Sequence, residues 1–120
     1  MTIENKTNPN LVRLIKDLKE MAREQDAPIW RDVAERLAKP SKNWAEVNLS
    51  KIQRHADEDE QIIVPGKVLG SGYLTKKVIV GSFKASDSAK EGISGAGGKY
   101  MSIRKLAEQN PEGSGIRLMG

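Results

Sequence analysis

The sequence predicts an α/β protein in which two N-terminal helices precede a core of short strands and helices. Three observations carry this. Apolar residues recur at three- and four-residue spacing in two early segments, each with a proline in its first turn. Two runs rich in β-branched residues, Gln61–Val64 and Val78–Phe83, follow later. Glycine-rich stretches at 66–72 and 92–98 then separate the remaining short periodic segments.

Taken in order, Asn8-Pro9 supplies a cap and a first helical position where a missing N–H costs nothing. Leu11, Leu14, Ile15, Leu18, Met21 and Ala22 then share one face, which predicts a helix over 9–25. Pro28 opens a second helix with the stripe Ile29, Trp30, Val33, Ala34 and Leu37, ended by Lys39-Pro40. The short connection at Asp26-Ala27 makes the two helices packed neighbours. Ser41-Lys42-Asn43 reads as a polar linker into a short extended segment, Trp44–Val47. Asn48 stands where it can cap a brief helix to His55, with Leu49, Ile52 and Ala56 inward and Lys51, Arg54 and His55 outward. Asp57–Glu60 forms an acidic turn.

Gln61–Val64 reads as a buried strand stopped by Pro65-Gly66, with Gly66–Gly72 a glycine-punctuated loop and Val78–Phe83 a second strand. Ser86 caps a short helix over Ala89–Ile93, and Gly92–Gly98 reads as a flexible loop. Ser102 caps a last amphipathic helix through Ile103, Leu106 and Ala107 that stops at Asn110-Pro111, and Ile116–Met119 closes as a strand. The whole is expected to be a single domain spanning 1–120, with a helical pair at 1–40 and an α/β core at 41–120.

Charge is unevenly distributed. Residues 1–60 hold eleven Lys and Arg against twelve Asp and Glu, whereas residues 61–120 hold nine against four. Residues 61–86 carry Lys67, Lys76, Lys77 and Lys84 and no carboxylate. A surface of one sign attracts polyanions over a Debye length of roughly 8 Å. A solvated lysine face gives the same count, so charge alone does not decide the partner. Absence of cysteine excludes disulfides and cysteine metal sites. No apolar run approaches the roughly 20 residues that span a bilayer, and the N-terminus lacks an apolar signal core, so a soluble cytoplasmic chain with no membrane partner is expected.

Nucleotide-binding motifs fail on spacing. Gly98-Lys99 is followed by Tyr100 instead of Ser or Thr, and Ile93 stands where a phosphate-binding loop needs glycine. Gly70-Ser71-Gly72 lacks the third glycine of a dinucleotide fingerprint, because position 75 is Thr75. His55 lies beside four acids, but a solvated helix end running into a turn accounts for the same residues, and a single histidine leaves a triad without a natural base. No catalysis, cofactor, metal or small-molecule substrate is expected. Glycines that admit close backbone approach, flanked by lysines, fit phosphate contact better than base reading.

The runs Ala45–Ile52 and Val64–Gly72 resemble the archaeal and eukaryotic large-subunit ribosomal protein family L-eighteen-e. Thr7-Asn8-Pro9, Trp30–Ala34 and Asn110–Ser114 add to the resemblance in the family's order, and the short length resembles archaeal members. Together these cover nearly the whole chain. The resemblance implies kinship with bacterial ribosomal protein L-fifteen and an α/β core of irregular strand-strand-helix turns wound as a short superhelix. It also implies contacts with large-subunit ribosomal RNA and neighbouring ribosomal proteins, without homo-oligomerisation. Carried onto this chain, the expected RNA-facing residues are Lys42, Lys51, Arg54, Lys67, Ser71, Lys76 and Lys77. The stretch from Gly92 to Lys99 departs from the family pattern. A competing reading is a protein-interaction module outside the ribosome that uses an apolar groove between the first two helices. An enzyme acting through His55 ranks third.

Overall fold

The computed structural model describes residues 8–120; Thr7, where the family pattern opens, and the six residues before it lie outside the described residues. Helix α1 spans Pro9–Glu24. The Asn8 side chain caps it, accepting hydrogen bonds from the backbone N–H groups of Asn10 (2.9 Å) and Leu11 (3.4 Å). Asp26, at φ 50, turns the chain out of the helix, and Ala27 N–H bonds back to the Ala22 carbonyl at 3.0 Å. This is a Schellman stop with aspartate where glycine is usual. Helix α2, Pro28–Ala38, follows at once.

A 3-10 turn at Ser41–Asn43 leads into strand β1, Ala45–Asn48, and helix α3, Leu49–His55. Strand β2 runs over Gln61–Leu69 and β3 over Ile79–Ala85, followed by helix α4, Asp87–Gly95. Strand β4, Lys99–Ser102, helix α5, Ile103–Gln109, and strand β5, Ile116–Leu118, complete the order. Ser86 and Ser102 cap as the sequence predicts, accepting from Ala89 N–H and Lys105 N–H. Asn48 holds the cap position of α3 without a side-chain cap bond.

The strands form one five-stranded sheet in the order β1-β2-β3-β4, with β5 also on β2, and all the pairings are parallel. The α/β class with two N-terminal helices is as expected. Both faces of the sheet are covered, as parallel sheets require. Successive strand residues alternate between two apolar clusters. Ile63 and Met101 join α1, α2 and α5 on one face, while Ile62, Val64, Val68 and Val80 join α3 and α4 on the other. Trp30, Ile15, Leu37, Ile52, Ile62 and Leu106 are fully buried. Each contributes roughly 1.5–3 kcal/mol from burial.

Three expectations need correction. Pro65-Gly66 does not stop the second-half strand, which continues to Leu69. Instead the register against β3 shifts between Val64 and Lys67, so the missing proline N–H falls at a bulge where the ladder skips. The outer edge of β2 changes partner at the same point: β5 pairs with residues 61–63 and β1 with residues 66–69. Gly66 makes the second pairing possible, because an added Cβ would sit on the Ala45 carbonyl. The glycine-punctuated loop therefore begins only after Leu69. Finally, Gly92–Gly98 is not one flexible loop: α4 runs through Gly95, and a tight turn then feeds β4, a strand hidden in the sequence by its glycine-rich approach.

Candidate nucleic-acid interface

The loop joining β2 to β3 lies strapped along α3 and the acidic turn. Ser50 N–H donates to the Ser71 carbonyl at 3.2 Å. Gln53 and Thr75 exchange two bonds of 2.9 Å, one from the Gln53 side-chain Nε2 to the Thr75 hydroxyl and one from the Thr75 backbone N–H to the Gln53 side-chain Oε1. The Lys76 ammonium donates to the Ala56 carbonyl at 2.7 Å. Lys77 N–H donates to Glu58, and Asp59 N–H to the Lys77 carbonyl. Leu74 anchors the middle in the α3–α4 core. Gly72 sits at φ +86 with the Ser50 Cβ only 2.7 Å from where its own Cβ would be, so glycine here serves the contact with α3. The result is a fixed platform that exposes Ser71, Gly72 and Tyr73, the last at 75%.

Lys51 and Arg54 project from α3 beside this loop, half-buried and exposed respectively, with no ion pair or side-chain hydrogen bond among the described residues. Lys76 and Lys77 lie at its far end and are engaged. Lys76 holds the Ala56 carbonyl, and Lys77 pairs with Asp59 at 3.7 Å across an exposed surface. The acidic turn thus offsets part of the charge that residues 61–86 carry. Lys67 lies within the sheet, in register with Glu46 of β1 and Lys84 of β3. Lys42 stands exposed on the 3-10 turn, joined to the loop by no hydrogen bond among the described residues. The structure therefore brings Lys51, Arg54, Ser71, Lys76 and Lys77 around one loop and leaves Lys42 and Lys67 apart.

Glu60 closes the acidic turn. Burial works against its charge, but Asp57 N–H (2.9 Å) and the Arg117 guanidinium (3.0 Å to each carboxylate oxygen) prevail, with a smaller pull from Lys76. Its carboxyl is held below the ordinary value. Arg117 is raised in turn, first by its hydrogen bond to Glu60. His55 is exposed at the end of α3, and among the described residues no three His, Asp or Glu side chains converge on a metal-binding geometry.

The groove expected between α1 and α2 is present, with charged groups around its apolar surface. Its cleft of about 560 Å³ is lined by Lys19, Arg23, Asp26, Arg31 and Glu35 together with Ala22 and Pro28. The apolar stripes of both helices are spent on the sheet. A second cleft, about 480 Å³, places Arg13 and Arg104 near the ends of β3 and β4, and Arg104 bonds Asp17 at 2.8 Å. A third, about 600 Å³, lies between α4 and α5. Sequence reasoning missed the lysines of that third cleft, because they are scattered over positions 90–105 and only the fold collects them. No helix among the described residues is long and apolar enough to cross a membrane.

The family segments meet one another. Trp30 Nε1 donates to the Pro111 carbonyl at 2.7 Å, and Gly113 packs against Ile29. Ala45 pairs with Gly66, and Ser50 meets the Ser71–Gly72 turn. These residues hold the scaffold together. A sheet covered on both faces, with open clefts rimmed by cations, makes an α/β scaffold.

Residues 2–120 match the family described as ribosomal protein 60S L18 and 50S L18e, and the chain belongs to that family, one of ribosomal proteins and not of enzymes. It is 52% identical over 114 residues to the large ribosomal subunit protein eL18 of Archaeoglobus fulgidus, covering 95% of this chain and 97% of that one. The eL18 proteins of Methanoregula boonei (52% over 118 residues; 98% and 97% covered) and Halobacterium salinarum (50% over 115; 96% and 98%) are similar over the same extent.

Proposed function

We propose that this chain is a single-domain structural constituent of the large ribosomal subunit in the cytoplasm, where it holds folded ribosomal RNA by phosphate and shape contacts and abuts neighbouring ribosomal proteins. Family membership over nearly the full length supports the subunit assignment. One observation carries the RNA reading: the β2–β3 loop is pinned to α3 by its own hydrogen bonds and presents the exposed residues Ser71 and Gly72 beside Lys51 and Arg54, which make no ion pair among the described residues. Rigid backbone with adjacent cations suits phosphate oxygens, which position a protein on RNA without reading sequence. Lys42 and Lys67 add separate contacts; Lys76 and Lys77 contribute the charge left over from their internal bonds.

Fractionation of extract from an archaeal cell expressing the tagged chain tests this. The chain is expected to sediment with large subunits and to leave them only at high salt. Recovery wholly in the free-protein fraction would overturn the assignment. The rival interaction-module reading has less support, because the apolar stripes of α1 and α2 are packed in the core and charged side chains surround their cleft.

A further inference from the structure

We infer that the groove between α4 and α5, with β4 as its floor, is a second docking surface for the RNA phosphodiester backbone. This inference rests on the proposed RNA-binding function and extends it to the edge of the sheet opposite β1 and β5. Strand β4 ends the sheet and, among the described residues, pairs only with β3. Helices α4 and α5 pack on opposite faces, so they form the two walls of an edge groove of about 600 Å³.

Each wall presents a lysine and a neutral polar group one turn apart: Lys90 with Ser94 on α4, and Lys105 with Gln109 on α5. Lys99 contributes a third ammonium from the floor. No carboxylate lines the groove, and none of the three lysines forms an ion pair among the described residues. Lys76 and Lys77, by contrast, are engaged.

The groove is also partly preorganised. The Lys90 ammonium lies 5.4 Å from the centroid of the Tyr100 ring, a cation–π contact that leaves its outer donors free. The Tyr100 hydroxyl is fixed on the buried Ser82 Oγ at 2.9 Å, and Ser82 in turn donates to the Lys84 carbonyl. On the floor, Lys99 N–H donates to the Val78 carbonyl of the β3 side. Alternation along the strand then turns the Tyr100 N–H and carbonyl outward. The edge therefore offers a backbone donor between ammonium groups and a carbonyl within reach of a ribose hydroxyl.

An acidic peptide adding as a strand is the competing occupant. It would gain few main-chain bonds from an edge of four residues, whereas strand addition draws its affinity from a run of such bonds. Three lysines without an ion pair among the described residues, and no acid in the lining, favour phosphate.

The chain has no cysteine, so Ser94→Cys and Ser71→Cys each supply one thiol for a tethered iron chelate that generates hydroxyl radicals. In reconstituted large subunits, Ser94→Cys is expected to cut a segment of ribosomal RNA distinct from that cut from Ser71→Cys. The triple variant Lys90→Gln, Lys99→Gln, Lys105→Gln, with unchanged Tm, should weaken binding to purified large-subunit RNA and make log affinity against log salt shallower by about 2 units. Cuts from position 71 with none from position 94 overturn the groove while leaving the proposed function standing. Silence at both positions in particles that retain the protein overturns the RNA reading itself. Cross-linking of the position-94 thiol to a protein, with no RNA cut, assigns the groove to a peptide and overturns the inference.

Discussion

Replacing Lys51, Arg54 and Lys67 together with glutamine should flatten the salt dependence of RNA binding without unfolding the chain. These three cations make no internal ion pair among the described residues, so their charge is available to an external polyanion. Each phosphate neutralised on RNA steepens log affinity against log salt by roughly 0.7–0.9. Removing three contacts should therefore make the slope shallower by about 2–3 units. A fivefold rise in salt would then cost the unaltered chain about 30- to 80-fold more affinity than the variant. Filter binding to purified large-subunit RNA across a salt series measures this, with thermal melting as the control for folding. Two parallel salt lines, whatever their offset, would refute the reasoning, because they would mean that these cations face no phosphate.

Lys76→Ala should behave in the opposite way. It deserts the Ala56 carbonyl, costing about 1–2 kcal/mol, and should leave the slope changed by less than one contact's worth, as read by urea unfolding beside the binding assay. Glu60→Gln tests the acidic turn. The folded pKa of Glu60 is depressed, so its stabilisation is present above the ordinary value of 4.5 and is lost as pH falls through the lower folded value. The variant should be less stable than the parent by about 1 kcal/mol at neutral pH, and the two urea curves should converge well below pH 4.5. An unchanged gap across that window would contradict the linkage. Trp30→Phe removes the donor to the Pro111 carbonyl and a fully buried ring edge, costing about 2–3 kcal/mol. Calorimetry should register it as a lowered Tm. Gly66→Ala sets a Cβ against the Ala45 carbonyl and should destabilise by about 1–3 kcal/mol, with amide exchange speeding first in Ala45–Asn48.

Helices were legible in the sequence where local chemistry decides them. The Asn8, Ser86 and Ser102 caps and the α1 stripe depend on residues within a turn or two of one another, and all stand as read. Strands were legible only where β-branched runs were long. β4 was missed because Lys99-Tyr100-Met101-Ser102 holds no β-branched residue and owes its conformation to pairing with β3. Pro65-Gly66 misled because those residues end isolated strands, and only the neighbouring strands reveal a bulge. Candidate cations were recognisable by type, but their availability was not. That Lys76 is tied to Ala56, and that Lys90, Lys99 and Lys105 share a groove, depends on the tertiary structure. The family segments were legible as a pattern, and the contact between Trp30 and Pro111 gives a physical reason for their pairing.

The shared outer edge of β2 bears on how the chain is made. Strand β5 covers the first residues of β2, yet it leaves the site of synthesis after the other four strands of the described residues. A nascent chain that has emerged only as far as α5 carries β2 with half of that edge bare, and bare edges invite pairing with the wrong strand. Trp30 likewise waits for Pro111 to arrive. Completion of the scaffold thus waits for residues 111–118, a short stretch that closes the sheet and the helical pair together.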